Sequence, residues 1–179
     1  MVVDPVSSQS EPAIAPSPEV RPRFARWLPW FATAALATLI LDLVSKQVLF
    51  ALPAGTDLPA FISLAYNPGV AWSLFAEHPW LVIALTGLLI PVLAVVWWRG
   101  YRLLGAWENL AFGCILGGAL GNAVDRTLTR FGELHGVRDF IHVDLGFWPL
   151  NPWPTFNIAD SGICVGFVII FLLSLRKNA

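Results

Sequence analysis

The strongest constraint on this chain is residues 80–98, a stretch that begins and ends in tryptophan and contains no charged residue. Wound as an α-helix at 1.5 Å per residue, it reaches roughly 28 Å, close to the thickness of bilayer hydrocarbon. It is apolar on every side and offers water no polar face, so its surroundings must be lipid or protein. Pro91 lies inside it, which a bilayer helix tolerates where a neighbour meets the freed carbonyl. Three more apolar stretches share the chain: 27–50 with Asp42 and Lys46, 106–124 with Gly113, Gly117, Gly118 and Gly121, and 158–175 with Asp160 at its start.

Composition supports four membrane spans. Of 179 residues, 56% are hydrophobic and 13% charged, whereas a water-soluble domain carries about a quarter charged residues. A net charge of -1 lacks the basic excess that nucleic acid requires, so no nucleic-acid partner is expected. Trp27, Trp30, Trp80, Trp97, Trp98 and Trp107 fall at the ends of apolar runs, where an amphipathic ring suits the headgroup region. Residues 1–22, rich in proline and serine and without an aromatic residue, read as a disordered tail. Residues 23–179 read as one four-helix membrane domain, its first helix retained.

Loop charge sets the expected topology. Arg21, Arg23 and Arg26 precede the first helix, Arg99 and Arg102 join the second to the third, and Arg176 and Lys177 end the fourth. These positive ends belong on the cytoplasmic side, with both termini. The connections 51–79 and 125–157 then face outward. Alternation through Phe61, Leu64 and Tyr66 allows a short strand there. The expected fold class is therefore all-α, four transmembrane helices with a small extracytoplasmic β element.

Ionisable groups near bilayer depth point to function. Asp139 on the second outer connection and Asp160 at the start of the fourth helix share the outer interface. Facing carboxylates can share one proton, one activating water while the other donates. Asp160 reads equally well as an N-cap. Asp42 and Lys46, four apart on one helix face, read as an ion pair. Ser45 points about 100° away from Lys46, too far round the helix for a serine–lysine dyad.

Gly113, Gly117 and Gly121 form a close-packing stripe. Asn122 and Arg126 lie one turn beyond it, and Asp125 is placed to pair with an arginine. Asn67-Pro68-Gly69-Val70-Ala71-Trp72 carries turn signals. Cys114 and Cys164, inside apolar runs, read as buried thiols rather than a disulfide. His135, His142 and Asp144 make no recognised ligand spacing, so neither a metal nor another cofactor is expected.

Five blocks in order, Asp42 with Lys46, Asn67 to Trp72, Gly117 to Arg126, Val137 to Phe140 and Phe156 to Asp160, resemble lipoprotein signal peptidase, or signal peptidase II. The resemblance implies an aspartic endopeptidase of the bacterial inner membrane, cutting diacylated prolipoproteins just before the lipidated cysteine. It implies Asp139 and Asp160 as the catalytic pair. Around them it implies Asn67, Gly69, Asn122, Asp125, Arg126, Asn157, Asp42 and Lys46 as binding or supporting residues. It implies no metal, small outer-surface strands that cradle the substrate, and work as a monomer among membrane lipids. Two departures stand out. Arg138 occupies a place usually aliphatic in the family, and residues 127–136 form a longer stretch than is common.

Two readings from other classes are a small proton-coupled transporter, using Asp42, Lys46, Asp125 and Asp160 as relay groups, and a structural membrane protein. A relay distributes ionisable groups through the bilayer depth. Here residues 80–98 have none, and Asp125 and Asp160 lie at the outer ends of the third and fourth stretches.

Overall fold

The computed structural model describes residues 23–70, 74–147 and 153–177. The 1–22 tail and the motif residues Ala71 and Trp72 lie outside the described residues. The elements are α1 (Arg23–Phe50), β1 (Ile62–Asn67), α2 (Pro79–Val96), α3 (Ala106–Arg130), β2 (Val137–Ile141) and α4 (Ile158–Lys177). α2 begins with proline at its first turn, where the missing N–H is no loss. It runs on into a single π-helical turn, Trp97–Tyr101.

Three of these helices are long and apolar enough to cross a membrane, over Arg26–Phe50, Pro79–Tyr101 and Ile158–Arg176. Their outer faces remain exposed, for example Ile40 and Val44 on α1, Leu88 and Val92 on α2, and Val168 and Phe171 on α4. α3 differs. It packs against α1 and α4 and more lightly against α2, and it buries Glu108, Asn109, Asn122 and Asp125.

Glycine makes that central place possible. A Cβ at Gly117 would collide with the Ala35 carbonyl of α1, and one at Gly118 with the Ala159 carbonyl of α4. Backbones at this distance leave no room for a methyl group. Gly121 opens space for the Asp42 carboxylate.

The opposite end from the π turn carries the sheet. β1 and β2 pair antiparallel, with Ala65 opposite Asp139, Tyr66 opposite Arg138 and Asn67 opposite Val137. An isolated bridge joins Ile141 to Phe156, through N–H···O bonds of 2.7 and 3.1 Å. That bridge draws the approach to α4 against β2. β2 is buried on both faces as far as Phe140, and its alternation is lost accordingly.

Three sequence expectations need correction: Cys114 is half-buried and Cys164 exposed on its helix, where both read as buried thiols, and two helix ends differ. α3 does not end at residue 124, and 127–136 is not one long loop, because the helix continues to Arg130. Thr127 and Thr129 bond back to the carbonyls of Ala123 and Asp125. The stop is Gly132, at φ +80°, with Gly132 N–H to Thr129 O and Glu133 N–H to Leu128 O. This is a Schellman closure, which glycine in the left-handed region permits. The third correction concerns the cap of α4, which is Asn157 and not Asp160.

Candidate active site

Asp139 and Asp160 reach one cavity from different elements. Asp139 stands on β2, held there by pairing with β1. Asp160 lies in the first turn of α4. The Asn157 side-chain oxygen accepts the Asp160 N–H at 2.9 Å, and Asp160 Oδ2 accepts the Asn157 N–H at 3.2 Å. This reciprocal box satisfies two of the four orphan N–H groups of a helix start. The other Asp160 oxygen accepts Asn122 Nδ2 at 2.8 Å.

Three asparagines tie the carboxylates together. Asn157 Nδ2 donates to Asp139 Oδ1 at 2.7 Å and Asn67 Nδ2 to Asp139 Oδ2 at 3.2 Å. Asn122 Oδ1 accepts Asn157 Nδ2 and Lys46 Nζ, both at 3.1 Å. Asn67 also holds its own turn by accepting the Gly69 N–H at 3.1 Å. Asp139 is only 2% exposed. Burial, and then the charge of Asp160, push its carboxyl up to about 7 against the hydrogen bonds from Asn67 and Asn157, since both influences disfavour a second anion.

Beneath lies a network of buried charge. Lys46 Nζ meets Asp42 Oδ2 at 2.7 Å and Asp125 Oδ2 at 3.3 Å, all fully buried. Asp125 in turn pairs with Arg138 at 2.7 Å, so an arginine partner for Asp125, expected from sequence, is present. Asp42 Oδ1 accepts the Ala159 N–H at 2.9 Å. Arg126 reaches the Gly69 carbonyl at 3.4 Å, and its buried Nε has no hydrogen-bond partner.

The cavity holds about 560 Å³. Its floor is α3, through Ala119, Asn122 and Arg126. One wall is α2 (Thr86, Leu89, Ile90), and the other is α4 (Asp160, Ser161, Ile163, Cys164). Asn67, Val70, Val137 and Asp139 cover the sheet end. Polar groups therefore converge at one end of an otherwise apolar gap, the usual form of a ligand site.

The signal peptidase (SPase) II family model matches residues 34–176. The chain belongs to the signal peptidase II family. The lipoprotein signal peptidase of Mycobacterium tuberculosis is 35% identical over 180 residues, covering 96% of this chain and 83% of that protein. That of Azoarcus sp. is 39% identical over 170 residues, covering 88% and 89%. A solved bacterial membrane enzyme at 25% identity matches with a TM-score of 0.69, over 86% of this chain and 96% of its own. A second matches at 0.70 and 24% identity, which speaks for the fold.

Family membership and three apolar helices make the chain a multi-pass protease of the inner membrane. Of the residues singled out from sequence, Asn67, Asn122, Arg126, Asp139 and Asp160 line the cavity. Asn157 bonds to both aspartates. Asp42, Lys46 and Asp125 lie behind it, and Gly69 lies in the turn beside it. His142 and Asp144 join no group of three or more potential metal ligands among the described residues. Sequence reasoning passed over Thr86 and Ser161 as lining residues and gave Arg138 no partner. A charged pair, Arg138 and Asp139, set between Val137 and Phe140 was the available signal, because a buried charge needs a counter-ion.

Proposed function

We propose that this protease removes the signal peptide of diacylglyceryl-modified prolipoproteins by aspartic chemistry, with Asp139 and Asp160 as the dyad. The observation that carries this reading is that the two carboxylates face one cavity and are linked through Asn122 and Asn157. Asp139, pushed up to about 7, holds the shared proton. Asp160 at the start of α4 stands where the helix dipole favours a negative charge. It takes a proton from water as that water attacks the scissile carbonyl, and Asp139 donates to the carbonyl oxygen. Collapse of the tetrahedral intermediate returns a proton to Asp139, while Asp160 protonates the leaving nitrogen. Arg126, with its unpartnered Nε, offers a donor to the substrate backbone.

The cavity walls fit a substrate that stays in lipid. Leu89, Ile90 and Ile163 offer acyl chains an apolar surface between α2 and α4, so a diacylated peptide enters sideways from the bilayer. α3, with 25 residues, is about 37 Å long and serves as the fourth crossing, shielded from lipid by its neighbours. Both termini are then cytoplasmic, the dyad works at the outer face, and the protein acts as a monomer.

The test is precursor processing in cells and in purified enzyme. Asp139→Asn and Asp160→Asn should each insert normally, accumulate diacylated precursor and lose about 10²–10⁴-fold in rate. Near-normal processing by either variant overturns the dyad. Reporter fusions near Asp57 and Gly132 that read as cytoplasmic would overturn the orientation.

A further inference from the structure

Arg138 precedes Asp139 in β2, yet its side chain is only 8% exposed. Its guanidinium grips Asp125, with Nη2 to Oδ1 at 2.7 Å and Nε at 3.2 and 3.3 Å from the two oxygens. Its backbone N–H donates to Asp125 Oδ2 at 2.9 Å. Its carbonyl accepts Asn157 Nδ2 at 3.3 Å, the same amide that bonds Asp139. From Asp125 the charges continue to Lys46 at 3.3 Å and on to Asp42 at 2.7 Å. Asp42 ends the chain on the N–H of Ala159, the residue before Asp160. Four buried charges therefore alternate in sign between the neighbour of one aspartate and the neighbour of the other.

We propose that Arg138 is a positioning residue of this protease: clamped on Asp125, it fixes the β2 backbone at Asp139 and, through Lys46 and Asp42, the placement of that carboxylate relative to Asp160. The assignment rests on the dyad reading above. A planar fork suits the task, because it holds both carboxylate oxygens at once, which a single ammonium does not. Small displacements of reacting groups are expensive in rate. The charged groups around the Asp139–Asp160 pair are Asp42 and Lys46 from α1, Asp125 and Arg126 from α3, and Arg138 from β2. Loss of the Arg138 cation leaves this set one charge more negative.

The experiment uses the full chain with a diacylated precursor peptide, measuring kcat and KM against pH. Arg138→Met should lower kcat about ten- to a hundredfold, hold KM within about twofold, and move the alkaline limb of the kcat profile upward. Arg138→Lys should recover part of the rate. The double variant Arg138→Met with Asp125→Asn should be no slower than the slower single variant, because the two side chains act as one unit. Parent-like kcat and pH profile in Arg138→Met, or multiplying losses in the double variant, would overturn the proposal. Should Arg138→Met not fold, Arg138→Lys decides: a parent-like kcat overturns the proposal and a reduced kcat at constant KM supports it. Asp139→Asn and Asp160→Asn run in the same assay. Normal turnover by either sinks the dyad reading itself, whereas dead aspartate variants beside a parent-like Arg138→Met sink only the positioning role.

Discussion

α2 is the most apolar helix of the molecule, yet Val82 is its only buried residue among those described. α3 is the least apolar and buries twelve residues, Glu108, Asn109, Asn122 and Asp125 among them. The ordinary rule of soluble proteins, apolar inside and polar outside, is inverted between these two neighbours. Lipid solvates Leu88 and Val92 as well as a protein core would, so burying them yields little. Polar and ionisable groups are the ones that need a protein interior at this depth, with partners supplied there. Close approach of backbones then sets how tightly the helices can pack around those groups, and this is where α3 uses its glycines.

The largest expected effect tests that division directly. Gly117→Leu or Gly118→Leu should abolish accumulation of folded protein, because the new side chain meets the backbone of α1 or α4. Gly87→Leu in α2, where a Cβ meets nothing within 4 Å, should leave expression and unfolding temperature near the parent values. Equal damage at all three positions would erase the comparison. Next in size is Lys46→Met, which leaves Asp42 and Asp125 without their shared cation. Removing one partner of a buried pair costs about 3–5 kcal/mol, read as a large fall in unfolding temperature in detergent. An Arg99→Met control at the exposed π turn should change it little.

A smaller effect depends on pH. Free carboxyls titrate near 4, and Asp139 in the folded protein titrates at about 7. Its folded-state pKa is the higher one, so stability declines as pH rises between those values and is flat above them. Asn at this position cannot ionise. Asp139→Asn should therefore unfold at the parent temperature near pH 4 and about 10 °C above it at pH 8, three pH units setting a ceiling of roughly 4 kcal/mol. With Asp139 as the proposed acid, the same elevation is expected to put the alkaline limb of the cleavage profile near pH 7. The smallest effect expected is Leu88→Ala on the lipid face of α2, within about 0.5 kcal/mol, measured by the same unfolding transition.

The lipid-facing part of the fold was legible because it needs only length and apolarity. α2 could be read within a few residues from an unbroken uncharged run. The Asp42–Lys46 pair followed from their spacing alone, since a charge in such a run has few ways to be satisfied. What escaped the sequence depended on contacts between distant segments. β2 carries Arg138 and Asp139 and shows no alternation, because β1 pairs along its edge while packing against α1 and α3 buries its side chains. The last turn of α3 looked like loop because Thr127 and Thr129 are weak helix formers, and their back-bonding hydroxyls are visible only in three dimensions. Gly132 marked the true stop and could have been used. The Asn157 cap was hidden by the more conspicuous Asp160, although an Asn three residues before an acid is the pattern of a capping box.

The cavity is built from walls that differ in how freely they can change. Its floor on α3 includes Ala119 and Asn122, one pressed among packed helices and the other bonded to Lys46, Asp160 and Asn157. Its α2 wall offers Leu89, which other apolar side chains can replace at little cost to the fold. A small molecule that rests mainly on α2 would meet a surface open to escape by substitution. One that hydrogen-bonds the asparagines and lies along the α3 floor would press on residues whose replacement damages the enzyme itself, and resistance would have to arise elsewhere.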